Sequence, residues 1–211
     1  MKVYVYVLTV DDGTAPCVDN GVFTLACCKP DIRRCADEKD WIVGIAGKEL
    51  TKCSGRDNIG RIIYVAQVIK KESWADYGKM ERFKGRRDNV YYFDETDKAF
   101  KRKPEMKQLH MSDKDMQKDV TNGEFVLISD ATHFRYFGNK AEKSLDEFDE
   151  IISERIRNGK GQQKHKVYPN SKHSLAFAMR FVESMMKIGN SDVQGEPHGC
   201  SHGRKACSCQ Y

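Results

Sequence analysis

Residues 3–8 read Val3-Tyr4-Val5-Tyr6-Val7-Leu8, and this run decides the fold class. Valine stands at every second position and tyrosine or leucine between, so an extended chain would be apolar on both faces. A strand of that kind belongs inside a sheet, covered on both sides. The run is short and meets Asp11 and Asp12 directly, so it reads as a strand and not as an export signal.

Further strands follow outward from it. Val22 to Cys28 is β-prone and is ended by Pro30, which cannot donate to a ladder. Trp41 to Ala46 and Ile62 to Ile69 are rich in β-branched residues and are separated by a Gly-, Ser- and Asn-bearing stretch, as in a meander. Phe125 to Ser129 and Thr132 to Phe137 give two more, the second closed by Gly138, with a short one at Val90 to Phe93. Residues 83–122 are otherwise polar, irregular and basic, in the manner of an elaborated functional loop region. Ser73 and Ser112 are placed to cap short helices. Ser144 and Glu147 form a capping-box pattern ahead of Leu145, Phe148, Ile152 and Ile156 at helical spacing. Leu175 to Met186 is apolar nearly all round, which predicts a deeply buried helix. Strands early and helices late predict an α+β fold, with a mainly antiparallel, barrel-like sheet and two C-terminal helices. One domain is expected over 1–188, followed by a Cys/His-rich tail over 189–211.

Charged residues make up 32% and apolar ones 39% of 211 residues, the balance of a chain that folds. No run approaches the roughly 20 apolar residues needed to cross a bilayer, so no membrane association is expected. The eight cysteines, without an export signal, read as thiols of a cytoplasmic protein and not as a disulfide framework. The net charge of +5 is too small to indicate a polyanionic partner by itself. Its distribution says more, because basic residues cluster over 79–87, 98–107 and 157–172 while acids cluster over 142–154. Such segregation suits a phosphate-facing side, although lysine-rich solvated loops look the same in sequence.

The run Thr24-Leu25-Ala26-Cys27-Cys28-Lys29-Pro30-Asp31-Ile32-Arg33-Arg34, followed by Asp40-Trp41-Ile42-Val43-Gly44, resembles the second nucleotide modification associated domain family. Asp88-Asn89-Val90-Tyr91, Ile128-Ser129, Tyr136-Phe137-Gly138 and Gly195-Glu196-Pro197 extend the resemblance over nearly the whole chain. Lys39 and Arg87 stand where the family pattern leads one to expect glycine. The resemblance implies a context, DNA base modification in phages and bacteria, and not a reaction. The order of strands is also similar to small barrel domains of the pseudouridine-synthase-associated type, a likeness of architecture that says little of function.

Several residues could carry chemistry. Cys28 lies beside Lys29 and near Arg33 and Arg34, a positive setting that favours a thiolate, and with Asp40 and His133 it makes a candidate catalytic set. Cys27 and Cys28 read equally as small buried apolar residues. Lys29, Arg33 and Arg34 suit phosphate, with Arg33 expected to point outward from a turn. His133 and Arg135 share one face of their strand, and Trp41 or Tyr136 could stack on a base. In the tail, Cys200, His202, Cys207 and Cys209 could wrap a zinc ion, although a tail without fixed structure fits the same composition. No phosphate loop, dinucleotide fingerprint or zinc-helix motif is present in the sequence. These residues suit a protein that binds a nucleotide, or a base within DNA, and takes part in its modification. A non-catalytic reader of modified DNA and a protein-interaction module are the alternatives.

Overall fold

The computed structural model describes residues 1–55, 57–106, 112–157 and 165–199. Its first strands are β1 (Val3–Leu8), β2 (Cys17–Asp19), β3 (Val22–Leu25), β4 (Trp41–Ala46), β5 (Ile62–Gln67) and β6 (Lys70–Ser73). They are followed by β7 (Tyr91–Asp94), β8 (Ala99–Arg102), β9 (Phe125–Asp130), β10 (Phe134–Tyr136) and β11 (His165–Tyr168). The helices are α1 (Pro30–Cys35), α2 (Lys48–Ser54), α3 (Trp74–Lys79), α4 (Asp113–Met116), α5 (Asp149–Arg157) and α6 (Leu175–Met186).

As its two apolar faces require, β1 is an interior strand of a five-stranded sheet ordered β10-β5-β4-β1-β11. It runs parallel to β4 and antiparallel to β11, and the remaining pairs of this sheet are antiparallel. A second sheet, β2-β3-β9-β6, is antiparallel throughout, and β7 and β8 form a hairpin. Val3, Val5, Val43 and Val65 face α5 and α6 through Phe148, Ile151, Ala178 and Phe181. The opposite face carries Tyr4, Tyr6, Ile42, Tyr64 and Phe134 against Phe23, Leu25 and Leu127 of the second sheet. That second sheet turns Val126 and Ile128 outward onto Trp74, Tyr77, Phe83 and Tyr91. Helices, sheet, sheet and an outer layer are thus stacked by strict alternation along each strand.

The fold is α+β and mainly antiparallel, with two helices late in the chain, as the sequence predicts. Among the described residues both sheets are open and no closed barrel forms. Pro30 does end β-structure, but it then opens α1 as an early-turn proline, so the expected exposed turn at Arg33 and Arg34 is a helix. Ser73 caps α3 by accepting from the Asp76 amide, and Ser112 makes a full capping box with Asp115.

The box expected at Ser144 does not form. The antiparallel bridge between Ile62 and Glu142 holds the chain extended just before it, and Glu147 is turned to Arg180 of α6 at 3.5 Å. The helix therefore starts with a 3-10 turn over Asp146–Phe148, and Leu145 points into solvent. α6 is also less buried than expected: Ala178, Phe181, Val182 and Met185 face the sheet while Arg180 and Glu183 are exposed. Beyond Ile188 the chain continues on the same body. Its backbone exchanges hydrogen bonds with Tyr136 through Asp192 and Gln194, and Asn139 donates to the Glu196 carbonyl. Among the described residues no helix is long and apolar enough to cross a membrane.

Candidate functional site

Register places Tyr6 of β1, Gly44 of β4, Tyr64 of β5 and Tyr136 of β10 in one row across four adjacent strands. The three rings lie on the inner face, buried between the sheets. Glycine is required in the gap, since a Cβ on Gly44 would lie 2.3 Å from the Tyr64 ring and 2.4 Å from Leu8. Without that side chain the Tyr64 ring reaches across β4, and its hydroxyl donates to the Tyr6 hydroxyl at 2.6 Å. Burial pushes all three phenols above their ordinary pKa, so each is a neutral hydroxyl at physiological pH.

The Tyr136 hydroxyl donates to Asp11 Oδ1 at 2.7 Å. The other carboxylate oxygen, Oδ2, takes the backbone amide of His198 at 3.2 Å and its ring Nδ1 at 2.8 Å. Both side chains are almost wholly buried, and Asn58 Nδ2 lies 3.4 Å from His198 Nε2. With the proton on Nδ1 toward the carboxylate, Nε2 keeps the lone pair that faces the Asn58 amide. Gly138 makes this docking possible: it is left-handed at φ 51°, and a Cβ there would meet the Glu196 carbonyl oxygen at 2.2 Å.

Cys28 and Lys29 stand in succession in the left-handed region at φ 60° and 43°, a conformation that costs non-glycine residues energy. The Lys29 ammonium donates to the Val7 carbonyl at 3.3 Å and sits 4.5 Å above the Tyr6 ring. This turn therefore borders the tyrosine row at the carboxyl end of β1. What fixes the strained turn is Arg33, and here the expectation of an outward side chain is corrected. Its guanidinium is fully buried and donates to the carbonyls of Cys28 at 2.7 Å, Phe125 at 2.7 Å and Asp119 at 2.9 Å. The Asp119 carboxylate lies 3.4 Å from it and also accepts from the Cys28 amide at 2.6 Å.

The remaining expected residues are dispersed. Asp40 is buried and binds the backbone amides of Lys2 and Asp37, which ties the start of the chain to the β4 entry. Trp41 faces the helices in the core, and Tyr136 is buried too deeply to stack on a base. Arg34 is half exposed beside Asp31. His133, also half exposed, contacts Asp130 at 2.7 Å in the β9–β10 turn, at the other end of the sheet from Asp11. Arg135 is half-buried on the helix-facing side of β10.

A second buried cluster explains the Asp88 motif. Asp88 accepts from the Thr24 hydroxyl at 2.5 Å and the Tyr77 hydroxyl at 2.7 Å, with Arg86 Nε at 3.7 Å. Burial raises the carboxyl pKa and Arg86 opposes it, so these residues stitch the outer layer to β3. Cys17, Cys27, Cys28 and Cys35 are free thiols, whereas Cys53 is disulfide-bonded. That corrects the expectation of a fully reduced set; Cys53 is exposed on α2. The residues expected to wrap a zinc ion, Cys200, His202, Cys207 and Cys209, lie outside the described residues, among which no cluster of His, Cys, Asp or Glu is arranged for a metal.

Asp11 and His198 escaped the reading of the sequence because they are 187 positions apart. Asp11 looked like the end of a strand and His198 like part of the tail. The signal available was Gly195-Glu196-Pro197, immediately before the histidine. A family model described as nucleotide modification associated domain 2 matches residues 1–202. No curated protein and no solved structure matches the chain.

Proposed function

The chain belongs to the nucleotide modification associated domain 2 family, and from that premise we propose that it binds a nucleotide, or a base within DNA, at the carboxyl end of β1 and takes part in its modification. The observation that carries this reading is the convergence of Tyr6, Tyr64, Tyr136, Asp11 and His198 beside the strained Cys28–Lys29 turn. Buried polar groups cost stability relative to apolar ones, and left-handed non-glycine residues persist chiefly where the surroundings impose them for a purpose.

In this reading Lys29 holds a phosphate, and Arg34 and Arg135, which lie elsewhere on the body, do not. Asp11 orients His198 for proton transfer, and Cys28 is the nearby nucleophile. His133, at the far turn, is a less favoured acid–base group. Arg33, Asp40 and Trp41 hold the scaffold instead of the ligand, and Tyr136 holds Asp11 instead of stacking on a base. Two facing sheets would then serve as barrel domains of the pseudouridine-synthase-associated type do, without closing.

One observation favours a second reading, a non-catalytic reader. Both oxygens of Asp11 are already engaged inside the protein, as in a structural clamp. Incubation of the protein with nucleotides and with DNA, followed by mass analysis of the bases, separates the two. A new base mass that disappears in His198→Gln supports catalysis at this site. Retained binding with unchanged bases supports the reader, and no binding to any nucleotide or DNA at low salt would end both.

A further inference from the structure

A cleft of about 350 Å3 opens between α3 and the chain leaving the β7–β8 hairpin. Lys79, Lys84, Lys103 and Tyr92 line it, with Glu81 and Glu105 among them. Its volume is at the small end of the range for small-molecule sites, about 300 to 1,000 Å3. Two of the lysines hold surface carboxylates, Lys79 on Glu95 at 2.8 Å and Lys84 on Glu81 at 3.3 Å. All four side chains are more than half exposed, so these pairs contribute little and yield readily to a competing anion.

Lys103 is different. It is half-buried, its backbone amide is fixed on the Val90 carbonyl at 2.9 Å, and its ammonium makes no hydrogen bond or ion pair among the described residues. Partial burial lowers its pKa, and the Glu105 and Asp88 charges oppose that shift only in part, so the ammonium has lost some water without a hydrogen-bonded partner in return. An anion arriving beside such a group restores what burial removed. The Tyr92 ring, also half-exposed, forms the neighbouring wall.

We propose that this cleft is a second binding site, for a phosphate carried next to a planar ring: a nucleoside monophosphate, free or as one unit of a single strand. Lys103 and Lys84 take the phosphate and Tyr92 stacks on the base. The choice of a nucleotide rests on family membership together with Tyr92. It does not rest on the tyrosine–aspartate–histidine reading, with which the cleft shares no residue.

The test is calorimetric titration of the full chain with a nucleoside monophosphate, with inorganic phosphate and with a single-stranded oligonucleotide. Lys103→Gln should weaken the nucleotide about tenfold or more, the loss of one contact to a charged group. Tyr92→Ala should weaken it about fivefold or more, while Tyr92→Phe, which keeps the ring, should bind as the parent does. Lys103→Gln should leave the melting temperature nearly unchanged, because the ammonium has no hydrogen-bonded partner to lose. Tighter binding of the oligonucleotide assigns the unit to a strand, and tighter binding of the monophosphate assigns it to the free nucleotide. The proposal is overturned if the Lys103 and Tyr92 variants bind as the parent does, if inorganic phosphate binds as tightly as the nucleotide, or if nothing binds at millimolar concentration.

Discussion

Arg33 carries its charge inside the protein, where three carbonyls and the Asp119 carboxylate take its donors. Burial lowers its pKa and Asp119 opposes that shift. Removing the guanidinium leaves Asp119 buried without its cation and leaves three carbonyls short of donors. Arg33→Ala should therefore cost about 3 to 5 kcal/mol, the range for breaking a buried pair from one side. Arg33→Lys should recover little of this, because an ammonium cannot fork onto three separated acceptors. Urea unfolding measures both, and a loss below about 1 kcal/mol, as at ordinary surface positions, would contradict the assignment. The basic pair after Cys28 was legible in sequence as a feature, but not its direction, since a buried and an exposed arginine look alike until the partner at 119 is known. Lys39 was legible as a departure from a glycine position, and the turn keeps its conformation without the glycine. The family pattern leads one to expect glycine there, and the residue sits in the left-handed region at φ 74°. Lys39→Gly should relieve about 1 kcal/mol of backbone strain, less the entropy glycine loses on folding, for a net gain of a few tenths. Thermal unfolding reads the sign, and a clear loss of stability would show that the lysine side chain contributes at this turn.

Helix entries separate local pattern from local structure. Ser174 accepts from the Phe177 amide and caps α6, whereas Ser144 caps nothing at the start of α5. Ser174→Ala should cost about 1 kcal/mol and Glu147→Ala, at the position where the capping box was expected, well under that, since its exposed pair with Arg180 is worth little. Equal losses in chemical denaturation would mean that the box does form in solution. The interior strands were legible because both faces of β1, β4 and β5 are apolar, and α6 because its apolar residues repeat. The strands that were missed, β2, β6, β8 and β11, are peripheral. β6 reads Lys70-Lys71-Glu72-Ser73, which has no apolar pattern, and β2 is three residues long. Edge strands of this kind are specified by the neighbour they pair with, here β9 and β3, and not by their own residues.

At the scale of the molecule, two sheets bury one polar row between them and the helices cover the outer side. Cys17 and Cys27 lie inside this stack, and burial pushes the Cys17 thiol up to about 12 and Cys27 well above the usual range. Iodoacetamide at pH 8 should therefore leave both unmodified in the folded protein and label Cys35, which is exposed. Peptide mapping by mass spectrometry checks this, and rapid labelling of Cys17 or Cys27 would show that the sheets open. The segregated basic segments were legible in sequence, but much of their charge is matched locally, as by Lys79 and Lys98 on Glu95 and Lys101 on Asp94. Charge segregation is therefore a weaker guide to the ligand than the buried row, which depends on register across four strands and could not be read from one. The most direct test of that row as a ligand site is a titration of the parent and of Lys29→Gln with nucleotides and DNA at increasing salt. The account predicts binding that weakens as salt rises, and a loss of about tenfold in Lys29→Gln at low salt, with a cost in stability of only about 1 to 2 kcal/mol for the lost contacts to Val7 and Tyr6. Equal affinity of the two proteins for every nucleotide and DNA would contradict a phosphate contact at Lys29, and with it the placement of the ligand at the carboxyl end of β1.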